Sequence, residues 1–564
     1  MDVDGILRSL GKYGRYQNLQ FAYNVFCLPM VTYPVVIYVF IGHIPDFICK
    51  VSTDHLTKHY NQPDRWENAT LSPRQCDVIR EINRSGLIIQ ESIPCSDGYE
   101  YFGPETVASE WNLVCGSEGL GSLSTTMAVV GGMLGATLFP ALADKYGRIL
   151  IIYTTFISLS GCFILASFVP WFTAFVILRF LTGVFSQGSG LVLGTLLLEL
   201  FPAESRGFVI SLGSITWGLC ISSMALIAFL LRHVSWRYTM LAAGLVGVHS
   251  LGTRWILHES LRWLVANGRF EEAKEWIKRA AKWNKKDATE ILAATALVNV
   301  EIQVLVEKAT DVNGVEKGND VNGVEKDNVV NGLQSDDKKP GTINKDSRGL
   351  EKLSILDIFR NRHILLTSIL VWIIWFVNSI TYYGLFLTSG SMSGNMYLNF
   401  FFNGIVEIPS VFLYMFTINR YGRKKTCIMF HAIAGVSLSI SAILIFAGDT
   451  PVLNGFAVAM SFAGKFGISG SFTTIFLYTP EIYPTNLRAL GLGLAATVAK
   501  FGGMVSPYAA LLGSHISWGP GVVFGSLSVL VTILFIWLPE TTGKELPDTL
   551  GDVDNFYVIK KNKK

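Results

Sequence analysis

Long apolar runs separated by short polar loops recur along the whole chain. Hydropathy windows of about 19 residues resolve twelve of them. They cover 21–41, 119–142, 149–169, 171–198, 208–231 and 238–257, then 364–387, 396–417, 427–446, 452–479, 489–513 and 519–538. A helix of about 20 apolar residues spans the hydrocarbon of a bilayer. The pattern therefore predicts an all-α membrane protein with twelve transmembrane helices. Two long polar segments interrupt it, 42–118 and 258–362.

Composition agrees with the pattern. A length of 564 residues would suggest about three or four soluble domains. Charged residues, however, are only 16% of the chain, against about 25% in soluble proteins. Hydrophobic residues reach 50% and mean hydropathy is +0.40. A soluble enzyme is excluded, and a net charge of +3 is too small to imply a nucleic-acid partner.

Lys and Arg set the orientation. Lys145, Arg148, Arg420, Arg423, Lys424 and Lys425 crowd the short loops after the second and eighth runs. By the positive-inside rule these loops are cytoplasmic, and an even number of crossings then puts both termini inside. Segment 42–118 is expected outside, and its four cysteines, Cys49, Cys76, Cys95 and Cys115, suit two disulfides in an oxidising compartment. Three pairings are open. Asn68-Ala-Thr and Asn83-Arg-Ser are glycosylation sequons in the same segment. Cys27, Cys162, Cys220 and Cys427 fall in or beside the spans and read as small packing residues.

The chain also repeats itself. Glu199-Leu-Phe-Pro-Ala-Glu-Ser-Arg206 is echoed by Glu481-Ile-Tyr-Pro-Thr-Asn-Leu-Arg488, and Asp144-Lys-Tyr-Gly-Arg148 by Asn419-Arg-Tyr-Gly-Arg423. His258-Glu259-Ser260 and Pro539-Glu540-Thr541 form a third pair. Three landmarks in one order define two six-helix pseudo-repeats, 21–257 and 363–538. Paired halves with a site between them are transporter architecture. Around them lie a cytoplasmic N-terminus (1–20), an inner linker (258–362) and a cytoplasmic tail (539–564). In the linker, 270–308 reads as amphipathic helix, and a nine-residue polar repeat over 311–345 has nothing with which to build a core.

Further motifs carry a family resemblance. Thr106-Val-Ala-Ser-Glu-Trp-Asn-Leu-Val-Cys115, Glu259-Ser-Leu-Arg-Trp-Leu264, Tyr382-Tyr-Gly-Leu385, Val406-Glu-Ile-Pro409, Tyr478-Thr-Pro-Glu-Ile-Tyr-Pro-Thr485 and Pro539-Glu-Thr-Thr-Gly543 stand in order along the chain. Together with the repeat they resemble the major facilitator superfamily, and within it the solute carriers of organic cations, anions and zwitterions. Pro140, Ile149, Asn419 and His258 depart from that family's usual residues. The resemblance implies a major facilitator fold, no enzymatic activity, no cofactor and a plasma-membrane location.

Charges at membrane depth are the first site candidates, because each costs at least about 2.5 kcal/mol unless it faces a polar environment. They are Lys500, Glu407, Lys465 and Arg179. The resemblance implies that a cation at position 500 favours substrates with a carboxylate. Glu407 opposite it suits an amine, and Lys465 resembles the carnitine-type branch. The expected ligand is thus a zwitterion or cation, its amine toward Glu407 and its carboxylate toward Lys500. Trp217, Tyr382 and Tyr383 offer aromatic faces for an ammonium, and the resemblance implies a wider cavity, since Gln187 stands where many cation carriers have Lys and Gly190 and Gly194 replace bulkier neighbours. Arg179 is expected to pair with a carboxylate. Asp144, Arg148, Glu199, Arg206, Arg423, Glu481 and Arg488 are candidate gate residues, with Glu199–Arg206, Glu481–Arg488 and Asp144–Arg148 as pairs.

The function these residues predict is transport of small organic ions across the bilayer by alternating access, of carnitine or amino-acid-derivative type. Sodium or protons are candidate coupling ions. No metal-ligand spacing and no Walker pattern occurs in the sequence. An organic-anion carrier is the alternative, and a substrate-sensing receptor on a carrier scaffold is a rival of another class.

Overall fold

A computed structural model describes residues 3–50, 69–84, 87–95, 98–294, 355–484, 487–543 and 547. Asn68, the 311–345 repeat and nearly all of the tail beyond residue 543 lie outside the described residues. The first half contributes α1 (Arg15–Val36), α2 (Glu118–Tyr146), α3 (Arg148–Ala166), α4 (Phe172–Glu199), α5 (Arg206–Leu230) and α6 (Trp236–Val246). The second contributes α7 (Arg362–Thr388), α8 (Met396–Ile405 continued by Glu407–Arg420), α9 (Arg423–Ala447), α10 (Pro451–Ile482), α11 (Arg488–His515) and α12 (Gly519–Leu534).

Among the described residues, ten crossings are long and apolar enough to span a membrane by length and composition; α6 and α11 complete the set. The sixth apolar run predicts one helix over 238–257. Instead α6 tightens into 3-10 turns at Gly247–Gly252 and ends in a short helical turn, Thr253–Ile256. α8 breaks for a readable reason. Pro409 has no N–H, and its ring clashes with the carbonyl four residues back, which is Ile405, the last residue of the first segment. The break leaves Glu407 as the first, buried residue of the second segment.

Small residues set the close packing. On α2 a Cβ at Gly131 or Gly135 would meet the carbonyls of Phe180 or Val184 at 2.0 and 1.9 Å, so α2 and α4 touch backbone to backbone. Between the halves, Gly218 of α5 faces Gly404 of α8, whose carbonyl would lie 2.9 Å from an added Cβ. Further bridges are Ser222 Oγ to Phe401 O (3.2 Å), Thr126 Oγ1 to Met504 O (3.2 Å) and Tyr397 packed on Phe40 and Phe229.

At one end of the bundle, here the linker end, a short amphipathic helix (Val3–Leu10) packs with the linker helix Phe270–Asn284. Asn284 Oδ1 accepts from Tyr16 N, and Asn284 Nδ2 donates to Gln17 and Leu10 O. The helix predicted over 270–308 stops early, because Lys285 takes a left-handed φ of 55°. A second helix, Ala288–Ala294, follows.

The opposite end carries strands within a segment whose polar pattern predicts only a loop. β1 (Asp46–Cys49) pairs antiparallel with β5 (Tyr99–Phe102), and β2 (Ala69–Pro73), β3 (Asp77–Arg84) and β4 (Leu87–Pro94) form a second antiparallel sheet. Asn83 sits on β3 opposite Ile88. Disulfides join Cys49 to Cys95 and Cys76 to Cys115. The loop is fastened to the first half: Trp236 Nε1 donates to Glu110 (2.7 Å), Arg237 pairs with the same carboxylate, and Trp236 N donates to Glu105 O (3.0 Å).

Candidate functional site

The charge clusters at the linker end are built alike in the two halves. Arg148 opens α3 and contacts Asp144 at 3.0 Å and Glu199, the last residue of α4, at 3.2 Å. Glu259 accepts the Ile149 N–H at 3.2 Å. Burial pushes the Glu259 carboxyl above its ordinary range, against the backbone N–H groups that hold it charged. In the second half Arg423 opens α9 and reaches both Glu481 oxygens with Nε, at 3.2 and 3.0 Å. Glu540 accepts from the Arg423 and Lys424 N–H groups at 2.9 and 3.2 Å. In each cluster a glycine with positive φ, Gly147 (102°) or Gly422 (89°), precedes the arginine. This is a carboxylate on a helix N-terminus, built twice.

Two expected pairs are not formed. Arg206 does not meet Glu199; it lies 3.7 Å from Asp4 of the N-terminal helix. Arg488 does not meet Glu481; it donates to the carbonyls of Tyr483 and Pro547 at 3.2 and 3.3 Å. The cause is the intervening turn. It carries each arginine away to the start of the next helix, while the glutamate stays in the last turn of its own helix beside Arg148 or Arg423. Neither glutamate–arginine cluster crosses from one half to the other.

Between the halves lies a cavity whose wall includes Lys500, Gln187, Arg179, Thr125, Tyr383 and Phe386. Lys500 Nζ donates to Gln187 Oε1 at 2.7 Å, a bond from α11 to α4 that joins the two halves. Lys500 has no ion pair among the described residues, and none of the residues lining the cavity is Asp or Glu.

Glu407, Lys465, Tyr382 and Trp217 are brought together, but they stand behind that wall. Glu407 Oε1 lies 3.1 Å from Lys465 Nζ and accepts from Tyr382 Oη at 2.7 Å. Trp217 Nε1 donates to Tyr382 Oη at 3.0 Å, bringing α5 of the first half into the network. Lys465 is fully buried, its ammonium 3.3 and 3.5 Å from the Tyr382 and Phe386 ring centroids. The expected amine site at Glu407 is therefore already filled by the protein's own ammonium.

Arg179 also differs from expectation. It pairs with no carboxylate among the described residues; its Nη1 donates to Pro34 O at 3.2 Å, and its guanidinium lies 5.8 Å from the Tyr38 ring. Thr125 was not singled out from the sequence, since a threonine in an apolar helix carries no signal of its own.

Two helical bundles enclosing a largely apolar central cavity with a few polar side chains in its wall, Lys500 and Gln187 among them, define a membrane transporter. Residues 100–507 match the Major Facilitator Superfamily, and the chain belongs to that family. It is similar to the organic cation transporter protein of Drosophila melanogaster, with 28% identity covering 99% of this chain and 95% of the other. Solute carrier family 22 member 7 of Rattus norvegicus is 28% identical, covering 98% of each chain. The organic cation/carnitine transporter 2 of Homo sapiens is 27% identical, covering 98% of this chain and 94% of its own length. In fold it resembles the partially occluded inward-open xylose transporter XylE of E. coli, with a TM-score of 0.57 at 12% identity over 93% of this chain and 100% of that one.

Proposed function

We propose that this chain carries small organic ions across the plasma membrane by alternating access, and that its substrates bear a carboxylate or another anionic group. One observation supports the reading above the rest: Lys500 faces the cavity with an uncharged amide as its partner, while Glu407 is paired with Lys465. A charge-assisted hydrogen bond contributes about 1.5–3 kcal/mol, so Lys500→Ala lowers uptake of an organic anion by roughly 10- to 100-fold.

The test is uptake of labelled p-aminohippurate, carnitine and tetraethylammonium into expressing cells, normalised to surface protein. The anion enters best and loses most on Lys500→Ala. Preferred entry of tetraethylammonium, unchanged by that substitution, refutes the anion reading. The cation and zwitterion reading stays second, supported by relatives whose names include organic cation and carnitine transporters. Flux into reconstituted vesicles separates a carrier from a receptor that only binds. Repeating the assay with imposed sodium or proton gradients identifies any coupling ion.

The same reading places both termini and the linker in the cytoplasm. It places the disulfide-bonded strands outside, with Asn68 and Asn83 as glycan acceptors. Glycosidase treatment of the expressed protein, which shortens its apparent mass only if glycans are attached, tests that orientation.

A further inference from the structure

The linker helix Phe270–Asn284 treats its charges differently at its two ends. Near its start, Lys274 pairs with Glu271 at 3.0 Å, and Arg269, just ahead of it, pairs with Glu272 at 2.6 Å. Near its end, Lys278, Arg279, Lys282, Lys285 and Lys286 follow one another with no acid between them. All five are exposed, and none has an ion pair among the described residues. The next acid, Asp287, accepts the Thr289 N–H at 2.8 Å. A half-exposed Trp283 stands among the cations. The positive-inside rule accounts for the sign of this run, not for its density or for the indole within it.

Depth decides the partner. Tyr16 N donates to Asn284 Oδ1, and Asn284 Nδ2 donates to Gln17 Oε1, both at 2.9 Å. Arg279 acts electrostatically on Tyr16 and His258. The run therefore ends against the first turn of α1. Tyr16 precedes Phe21, where the apolar run begins, by a rise of about 7–8 Å. The headgroup layer is about 5–8 Å deep on each side of the hydrocarbon, so the cations stand at headgroup depth. Arg254 and Trp255 are exposed on the neighbouring segment, which Gln20 of α1 holds through Ile256 O at 2.7 Å. Indoles are enriched at that boundary.

We propose that this basic and aromatic face binds the anionic phospholipid headgroups of the leaflet it adjoins, pinning the linker helix to the bilayer beside α1. Cations near a membrane surface attract anionic lipid one by one, and salt screens that attraction. The proposed cytoplasmic placement of the linker decides only which leaflet supplies the lipid.

The experiment places the full chain in phosphatidylcholine nanodiscs doped with spin-labelled phosphatidylserine or, in parallel, spin-labelled phosphatidylcholine. The fraction of motionally restricted label reports lipid held by the protein. Wild type holds phosphatidylserine at least about fivefold more strongly, the factor one surface cation supplies, and 0.5 M salt (roughly a 4 Å screening length) erases most of it. Joint Lys278→Gln, Lys282→Gln, Lys285→Gln and Lys286→Gln lowers the preference to about twofold or less with melting unchanged, since all four side chains are exposed. Joint Lys145→Gln and Lys425→Gln, on other exposed loops, keeps most of it. Equal restriction of both lipids in wild type, or a preference that survives the four substitutions, overturns the proposal. Nanodiscs open both leaflets to the label, so this result stands apart from the orientation that glycosidase treatment tests.

Discussion

In the first half Arg148 opens α3, Glu199 closes α4 and Glu259 holds the α3 N-terminus; in the second, Arg423, Glu481 and Glu540 stand in the same places on α9 and α10. At membrane depth the likeness ends. The first half offers Arg179 and Gln187 to the cavity, whereas the second offers Lys500 and encloses its own Glu407–Lys465 pair. What was duplicated is the frame that each bundle needs to keep its helix ends in place. What was not duplicated is the chemistry that a small, asymmetric substrate reads. Symmetry thus separates residues of the moving frame from residues of the site.

The largest test of that division is Glu407→Gln. It strands a fully buried ammonium, a change costing roughly 3–5 kcal/mol, and thermal melting of detergent-purified protein should fall steeply. Glu407→Gln with Lys465→Met should recover most of the loss, since removing both charges is often nearly neutral. A single variant that melts like wild type shows that the pair is not closed. Next comes the comparison between halves. Arg423 grips both oxygens of Glu481, whereas Arg148 Nη2 makes one contact with Glu199. Glu481→Gln is expected to cost more than Glu199→Gln, by about 1 kcal/mol, because bidentate charged bonds are the stronger ones. The reverse order breaks the frame comparison.

Gly218→Ala probes the seam. A methyl 2.9 Å from the Gly404 carbonyl forces α5 and α8 apart, at about 1–3 kcal/mol, and slows transport with substrate KM little changed. The smallest effect is a pH response at the linker end. Burial, helped by Arg279, lowers the His258 pKa from 6.5 to about 4, so folding disfavours its protonation. Its stabilising contribution is present above pH 6.5 and is lost as pH falls toward 4, by at most about 1.4 kcal/mol per unit. His258→Gln should flatten the melting temperature over that window.

Much of this was legible in the chain. Apolar runs marked the crossings, repeated Gly-Arg and Glu-containing motifs marked the halves, and a lysine at membrane depth marked the cavity. Partnership was less legible. Arg206 looks to Asp4, 202 residues earlier, and Glu407 to Lys465, 58 residues later. Such pairs depend on which helix ends meet in space, a matter of packing that local spacing does not carry. The strands had a local signal, the Leu87-Ile-Ile-Gln-Glu-Ser-Ile-Pro94 run, obscured by the charge of the segment around it. The early end of the linker helix turns on one left-handed residue, Lys285, a conformation that lysine does not announce.

The strand-bearing loop has a different use. Cys76–Cys115 ties it just ahead of α2, and Glu110 with Trp236 ties it to the start of α6. Through these anchors it rides on the first bundle as a passenger. A dye on exposed Phe102, replaced by a labelled cysteine, would travel with that bundle, and a second dye on α12 would travel with the other. Their separation then becomes a ruler for the rocking motion, readable one molecule at a time without touching the cavity.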